Sequence, residues 1–124
     1  MAFIADRVLD LGLNILSTEA NRLDICSSEP VDFTAATTTA SLGNKTSLSV
    51  GNPEARTPDG RKVTVAQITD GVIDGTGTAT HYAIVDTVNS RLLATGSLSA
   101  SQAVTSGNTF TLAAFDIGIP GAEQ

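Results

Sequence analysis

The single histidine and the single tyrosine of the chain stand side by side, as His81 and Tyr82, in the apolar run ATHYAIVD. A histidine can act as a general base, but that role needs a nucleophile and an orienting carboxylate beside it. No serine of the chain stands in a Gly-x-Ser-x-Gly pattern, which forms the nucleophile elbow of many hydrolases. In a strand, His81 shares a face with Ala79, Ala83 and Val85, because successive side chains alternate between faces. We therefore predict a structural histidine.

Metal-binding residues are scarce in this sequence. One His and one Cys cannot supply the nitrogen and sulfur ligands of the usual zinc or iron sites. Asp70 and Asp74, in DGVIDG, could serve calcium, but their spacing does not fit the helix-loop-helix calcium loop, and Asp-Gly pairs are common in hairpin turns. Cys26, flanked by Leu23 and Ile25, is predicted to be a buried thiol. We predict no metal, no cofactor and no catalytic residue, and hence no enzyme.

The charge balance excludes further classes of function. The 124 residues carry a formal net charge of -6 and no basic cluster, which opposes binding to nucleic acid phosphates. The sequence contains no run of about 18 apolar residues, the length that would predict a membrane span. The apolar N-terminal sequence is interrupted by Asp6 and Asp10 and lacks the features of a signal peptide. We expect a protein that is made and kept in a cytoplasm, with no membrane partner.

Composition and turn spacing predict the fold class. The chain has 17 Thr, 11 Ser and 11 Gly, and from residue 22 onward short β-branched runs alternate with turn residues. This pattern is typical of a mainly β protein, an antiparallel β-sandwich of seven or eight short strands. We expect a hairpin in which TATHYAIVD and RLLATGSLS flank TVNS, and a bulge or corner at Ala113-Ala114, where the apolar phase changes. Gly43-Asn44, Asp70-Gly71 and Asp74-Gly75 are predicted turns.

The N-terminal segment has a different period. Over residues 3–16, Ile4, Val8, Leu11 and Ile15 form one apolar row of a helix, and Leu9, Leu13 and Leu16 form a second row roughly opposite. The rival pattern is the alternation Leu9, Leu11, Leu13, Ile15, which suits a strand. We prefer the helix, with STEAN as its polar stop, and divide the chain into an N-terminal helix or arm, residues 1–21, and a β-sandwich domain, residues 22–124.

Two apolar rows are more than one packing face of a helix needs, so a monomer would leave one of them without cover. We therefore predict that this segment forms an interface with another copy or with a neighbouring protein. The interface residues are Phe3, Ile4, Val8, Leu9, Leu11, Leu13, Ile15 and Leu16.

The C-terminal half also carries a recognisable set of motifs. A strand with Thr80, His81, Ala83, Ile84 and Asp86 leads through a turn to Leu92-Leu93, and then to Gly96 and Leu98. The run Ala103 to Phe110 forms a turn before a last strand. From about Thr76 to Ile119 the chain resembles a family of small β-rich virion proteins of tailed bacteriophages. Asn108 departs from that family's pattern, which usually has an aspartate at this position.

This resemblance implies a non-enzymatic structural protein of a virion, made in the host bacterial cytoplasm. The favoured expectation is a capsid decoration (cement) protein that attaches to the shell of the major capsid protein as a homo-oligomer. The alternative is a tail, collar or fibre component involved in assembly or host attachment; the few aromatic residues favour decoration over sugar binding. A lysin or glycosidase-like enzyme would need two opposed carboxylates in a cleft.

Overall fold

The computed structural model describes residues 6–57 and 60–119. One α-helix, nine β-strands and one short π-helix, Ala35–Thr39, are assigned in these ranges. The helix and the strands are α1 (Asp6–Glu19), β1 (Arg22–Cys26), β2 (Ser41–Thr46), β3 (Glu54–Ala55), β4 (Arg61–Val65), β5 (Ile68–Ile73), β6 (Gly77–Asp86), β7 (Arg91–Val104), β8 (Thr109–Leu112) and β9 (Phe115–Ile119). Strands make up the largest share of the described residues, and the predicted class is confirmed: mainly β, antiparallel and sandwich-like, with an N-terminal helix. None of the described helices is long and apolar enough to cross a bilayer.

The residues group into two compact units. The first contains α1, residues 49–67 and residues 113–119, and its sheet has the order β3-β4-β9. The second contains residues 20–48 and 68–112, and its sheet has the order β7-β6-β1-β2-β5-β8. The predicted division into residues 1–21 and 22–124 stays a prediction.

The six-stranded sheet is curled because a short connection joins its two outer strands. In a flat sheet, five spacings of about 4.8 Å would place β7 and β8 about 24 Å apart. The five residue steps from Val104 to Thr109 span at most about 18 Å. Residues 105–108 are also tied to the end of β5, since Gly107 N donates to Ile73 O (2.9 Å) and Ile73 N donates to Asn108 O (3.0 Å). The sheet must therefore bend toward closure at this end.

The curl buries β1, which lies between β6 and β2 near the middle of the sheet. Leu23 and Ile25 are almost fully buried. The next residue, Cys26, belongs to a core cluster with Ala36, Ala40, Ala83 and Val85, against which Phe33 and Leu92 pack. The prediction of a buried thiol at Cys26 is confirmed.

A buried carboxylate accompanies this core. Asp24 is inaccessible to solvent, and its two oxygens accept hydrogen bonds from Arg22 Nε (2.7 Å) and Arg22 Nη2 (2.9 Å). Ser41 Oγ donates a further bond to Asp24 Oδ2 (2.6 Å). Burial raises the pKa of the Asp24 carboxyl, and these bonds oppose the shift. The pKa of the Arg22 guanidinium is raised by its hydrogen bond to Asp24.

The predicted hairpin and corner are both present. β6 and β7 pair antiparallel, Asp86 with Arg91, around the turn of residues 87–90. β8 pairs with β5 in the six-stranded sheet and β9 pairs with β4 in the other, so the chain changes sheets at Ala113-Ala114. The predicted phase change is confirmed as a corner between sheets.

Two predicted turns are wrong. Gly43 lies within β2 and Gly71 lies within β5. A Cβ on Gly43 would collide with the backbone carbonyl of Val72, and a Cβ on Gly71 would collide with the ring of Phe110. Each glycine therefore permits a close approach between paired strands, which a turn propensity cannot distinguish from a turn. The predicted turn at Asp74-Gly75, which follows β5, is present.

Replacing Gly43 by alanine tests this close approach. Because the obstacle is backbone, β2 and β5 would have to separate, and we expect Gly43→Ala to lower the free energy of unfolding by about 1–3 kcal/mol. Gly51→Ala is the control, since its Cβ would lie 3.6 Å from Thr64 O, an ordinary contact. Urea denaturation of both variants checks the difference; equal midpoints would contradict the steric account.

The turn of the β6–β7 hairpin predicts a dependence of stability on pH. Asp86 Oδ2 accepts a bond from Asn89 Nδ2 (2.8 Å), and Oδ1 accepts one from Val88 N (2.9 Å). These bonds lower the pKa of the Asp86 carboxyl below its ordinary value of 3.8, the Asn89 side chain contributing most. The ionised carboxylate thus stabilises the fold above pH 3.8, and this contribution is lost as pH falls through the lowered pKa.

We expect the Asp86→Asn variant to be less stable than the parent at neutral pH. On acidification it should lose less stability than the parent does. Thermal unfolding between neutral and acidic pH measures both. Parallel curves for parent and variant would show that Asp86 does not carry the proposed linkage.

Candidate functional site

The described part of α1 presents one apolar row inward and another outward within the first unit. Leu13 and Leu16 are buried, with 2% and 8% of their surface exposed. Leu11 and Ile15, which are four residues apart on the same side of the helix, are 56% and 44% exposed. The helix spans Asp6–Glu19, and so extends three residues past the predicted end at residue 16.

Polar contacts fix the orientation of α1 on its unit. Arg61 Nε donates to Asp10 Oδ1 (2.8 Å), and Ser17 Oγ donates to Gly51 O (2.6 Å). The Asp10–Arg61 pair is partly shielded from solvent, so it contributes more to stability than a fully exposed ion pair would. These contacts, together with the burial of Leu13 and Leu16, hold the Leu11–Ile15 side away from the unit.

The outward side of α1 is uncharged over two turns. Its exposed residues are Leu11, Gly12, Asn14, Ile15 and Thr18. In a chain with a net charge of -6, such a surface is the kind that a protein partner covers, because burying it leaves no ion unpaired. We call Leu11, Asn14, Ile15 and Thr18 the helix surface.

The sequence-predicted interface residues fall into three groups. Phe3 and Ile4 lie outside the described residues. Val8 and Leu9 belong to the backbone of α1, but their side chains fall outside the described part. Of the remaining four, Leu11 and Ile15 are exposed and Leu13 and Leu16 are buried, so only one row is available to a partner. Participation of these residues in an interface stays a prediction.

His81 has hydroxyl neighbours on both ring nitrogens. Thr80 Oγ1 lies 2.9 Å from Nδ1 and donates its own proton to Ser27 O (3.0 Å). The other ring nitrogen, Nε2, lies 3.5 Å from Ser97 Oγ. That separation is too long for efficient proton transfer, and no carboxylate contacts His81 in the described part of the chain. The geometry favours a framework role on β6, and the absence of catalysis stays a prediction.

The two acidic residues considered for calcium are held apart by other partners. Lys45 Nζ lies 3.0 Å from Asp70 Oδ1, and Asn44 Nδ2 donates to Asp74 Oδ2 (3.1 Å). Within the described ranges, no group of three or more His, Cys, Asp or Glu side chains is placed to hold a metal ion.

A polar groove of about 430 Å³ lies in the first unit. Its lining includes Arg56, Thr57, Lys62, Asp116 and Gly118. Lys62 Nζ pairs with Asp116 Oδ2 at 3.0 Å, and Thr64 Oγ1 donates to Asp116 Oδ1 at 2.7 Å. These bonds lower the pKa of the Asp116 carboxyl and raise the pKa of Lys62. The charges of Lys62 and Asp116 therefore neutralise each other where they meet in the groove.

Charged residues are unevenly distributed over the strands of the second unit. In the second unit the Arg22–Asp24 ion pair involves β1 and the Lys45–Asp70 ion pair involves β2, whereas β7 and β8 carry one charged residue between them, Arg91. The signal was available, because no residue from Leu92 to Phe115 is charged.

Comparison with known proteins adds no relative: no family model, no curated protein and no solved structure matches the chain.

Substitution of His81 tests its framework role. We expect His81→Gln to leave the fold intact and to change the free energy of unfolding by no more than about 0.5 kcal/mol, because the side chain is only partly buried. Chemical denaturation measures the change, with Thr80→Val as a comparison that also removes the bond to Ser27 O. An assembly-competent His81→Gln protein that had lost a hydrolytic activity would contradict the framework role.

Proposed function

We propose that this chain is a non-enzymatic structural protein of a tailed-phage virion, a capsid decoration protein that attaches to the shell of the major capsid protein. The observation that carries the proposal is the helix surface, an uncharged patch with Leu11 and Ile15 exposed, on a helix that is held in place by Asp10, Leu13 and Leu16. The family resemblance supplies the class of particle, and the patch supplies a means of attachment.

The positions that carry the resemblance support a framework and not a reactive site. Ala83 and Ile84 are buried in β6, and Asp86 accepts the hydrogen bonds of the hairpin turn. The three residues serve packing and turn geometry. A family that preserves such positions preserves a scaffold, which suits a protein whose role is to occupy a place in an assembly.

The energetics of the helix surface are those of a repeated, modest contact. Full burial of a large aliphatic side chain contributes about 1.5–3 kcal/mol, and Leu11 and Ile15 are each roughly half exposed. Two such residues give a weak contact by themselves. Many copies on a shell, or several attachment points in one oligomer, would raise the avidity without any new kind of contact.

Imaging of labelled particles tests the proposed location. Gold-labelled antibody against the chain, viewed on virions by electron microscopy, should decorate the whole head surface. Label confined to the tail, collar or fibres would contradict decoration and support the alternative, a tail, collar or fibre component. An absence of label from intact and disrupted particles, with the chain also missing from their protein content, would refute a virion role.

The same assay tests the attachment surface. We expect the pair of substitutions Leu11→Gln and Ile15→Gln to reduce head labelling at least tenfold, because attachment would then bury two unpaired amides in place of apolar groups. Val31→Gln is the matched control, since Val31 is 86% exposed and lies in the other unit. Circular dichroism should confirm that both proteins fold. Full occupancy by the helix variant would show that attachment uses another surface.

A further inference from the structure

The two edges of the six-stranded sheet share an unusual property. Apart from Arg91, the first residue of β7, its outer strands β7 and β8 lie in the stretch from Leu92 to Phe115, which contains no charged residue. Outer strands expose a row of backbone N–H and C=O groups that can pair with another chain, and proteins commonly protect them with lysine, proline or short length. β8 is protected by its length of four residues, but β7 has fourteen residues, no proline and no lysine.

The far half of β7 is ordered with little cover. Residues 99–103 are exposed on both faces of the strand. The register with β6 passes from Ala79 opposite Gln102 to His81 opposite Ser97, so residues 98–101 lie opposite Thr80 alone. Most of these four residues therefore lack a ladder partner on β6. Fixing a residue in an extended conformation costs about 1–2 kcal/mol of conformational entropy, and here little burial offsets it.

The absence of charge on this edge allows a second copy of the chain to approach it. Two molecules that each carry a net charge of -6 repel one another over most of their surfaces, and they can approach where charge is absent. The small side chains of Ser97, Ser99, Ala100 and Ser101 allow a neighbouring strand to come close. We propose that β7 pairs antiparallel with β7 of a second copy about a two-fold axis near Ser99.

This arrangement is self-consistent in charge and in symmetry. An antiparallel pair places the two Arg91 residues at opposite ends of the ribbon, so the one charged position of each strand does not meet its equivalent. A contact of a strand with itself closes after two copies, which gives a dimer and not a filament. The proposal does not depend on a virion role, and the residues that carry it are distinct from the helix surface.

A lysine at the centre of β7 tests the pairing. Analytical ultracentrifugation of the full chain should show a dimer, and Ser99→Lys should raise the dissociation constant at least tenfold, because two like charges would meet near the axis. Thr111→Lys is the matched control, since Thr111 is also an exposed hydroxyl residue in an outer strand of the same sheet. A parent that remains monomeric at its highest soluble concentration overturns the proposal. So does a dimer that survives Ser99→Lys or dissociates with Thr111→Lys.

Cysteine cross-linking tests the geometry independently. Cys26 is buried, so a single introduced thiol is the accessible one. Under mild oxidation, Ser97→Cys, Ser99→Cys and Ser101→Cys are replacements of nearly equal size, and at least one of them, nearest the axis, should give a disulfide-linked dimer. Ser28→Cys, at an exposed serine outside the sheet, should remain monomeric. Failure of all three β7 thiols to cross-link, or equal cross-linking of Ser28→Cys, refutes the β7 pair.

Discussion

The short connection between β7 and β8 is the constraint on which the second unit depends. Two outer strands that would stand about 24 Å apart in a flat sheet are joined by four residues, so the sheet has to curl. Curling encloses β1, and enclosure removes Asp24 from solvent. A carboxylate in that position is tolerated because Arg22 and Ser41 complete its hydrogen bonds. Thus the buried ion pair on β1 is a consequence of the length of a loop that joins the two outer strands of the sheet.

The distribution of charge follows a similar logic in both units. Arg22, Lys45, Arg61 and Lys62 each pair with a carboxylate of their own unit. Pairing uses up these cations locally, which leaves the negative charge of the chain on its remaining carboxylates. The helix surface and the outer edge of β7 are uncharged areas of the described chain, so burying either of them would desolvate no ion.

Local signals in the sequence predicted local structure well. The β6–β7 hairpin was predictable because two apolar runs flank a short polar turn, and the sheet change at Ala113-Ala114 was predictable from a shift of apolar phase. The helix was predictable from its two rows, but its end was not, because Ser17, Thr18 and Glu19 continue the helix past the polar stop; Ser17 does so while bonding to Gly51 O. The burial of one row and the exposure of the other required knowledge of the unit on which the helix lies.

Long-range order was the part that the sequence could not supply. RLDIC contains two charged residues within five, and nothing local indicates that it lies near the middle of a six-stranded sheet. The glycines at 43 and 71 resembled turn residues because the reason for them is a neighbour distant in sequence. The segment FTAATTTA, which is rich in β-branched threonine, contains the π-helix Ala35–Thr39, where Ala36 enters the core. In each case a distant contact overrode the local pattern.

The single cysteine provides a built-in measure of how often the core opens. Burial raises the pKa of the Cys26 thiol to about 12, so the thiolate fraction at neutral pH is on the order of 10⁻⁵, and Cys26 also lies beyond the reach of reagents in solution. Alkylation of this residue requires the sheet to open around β1. The rate at which a thiol reagent labels the native chain therefore reports how often the curled sheet opens, without any introduced probe.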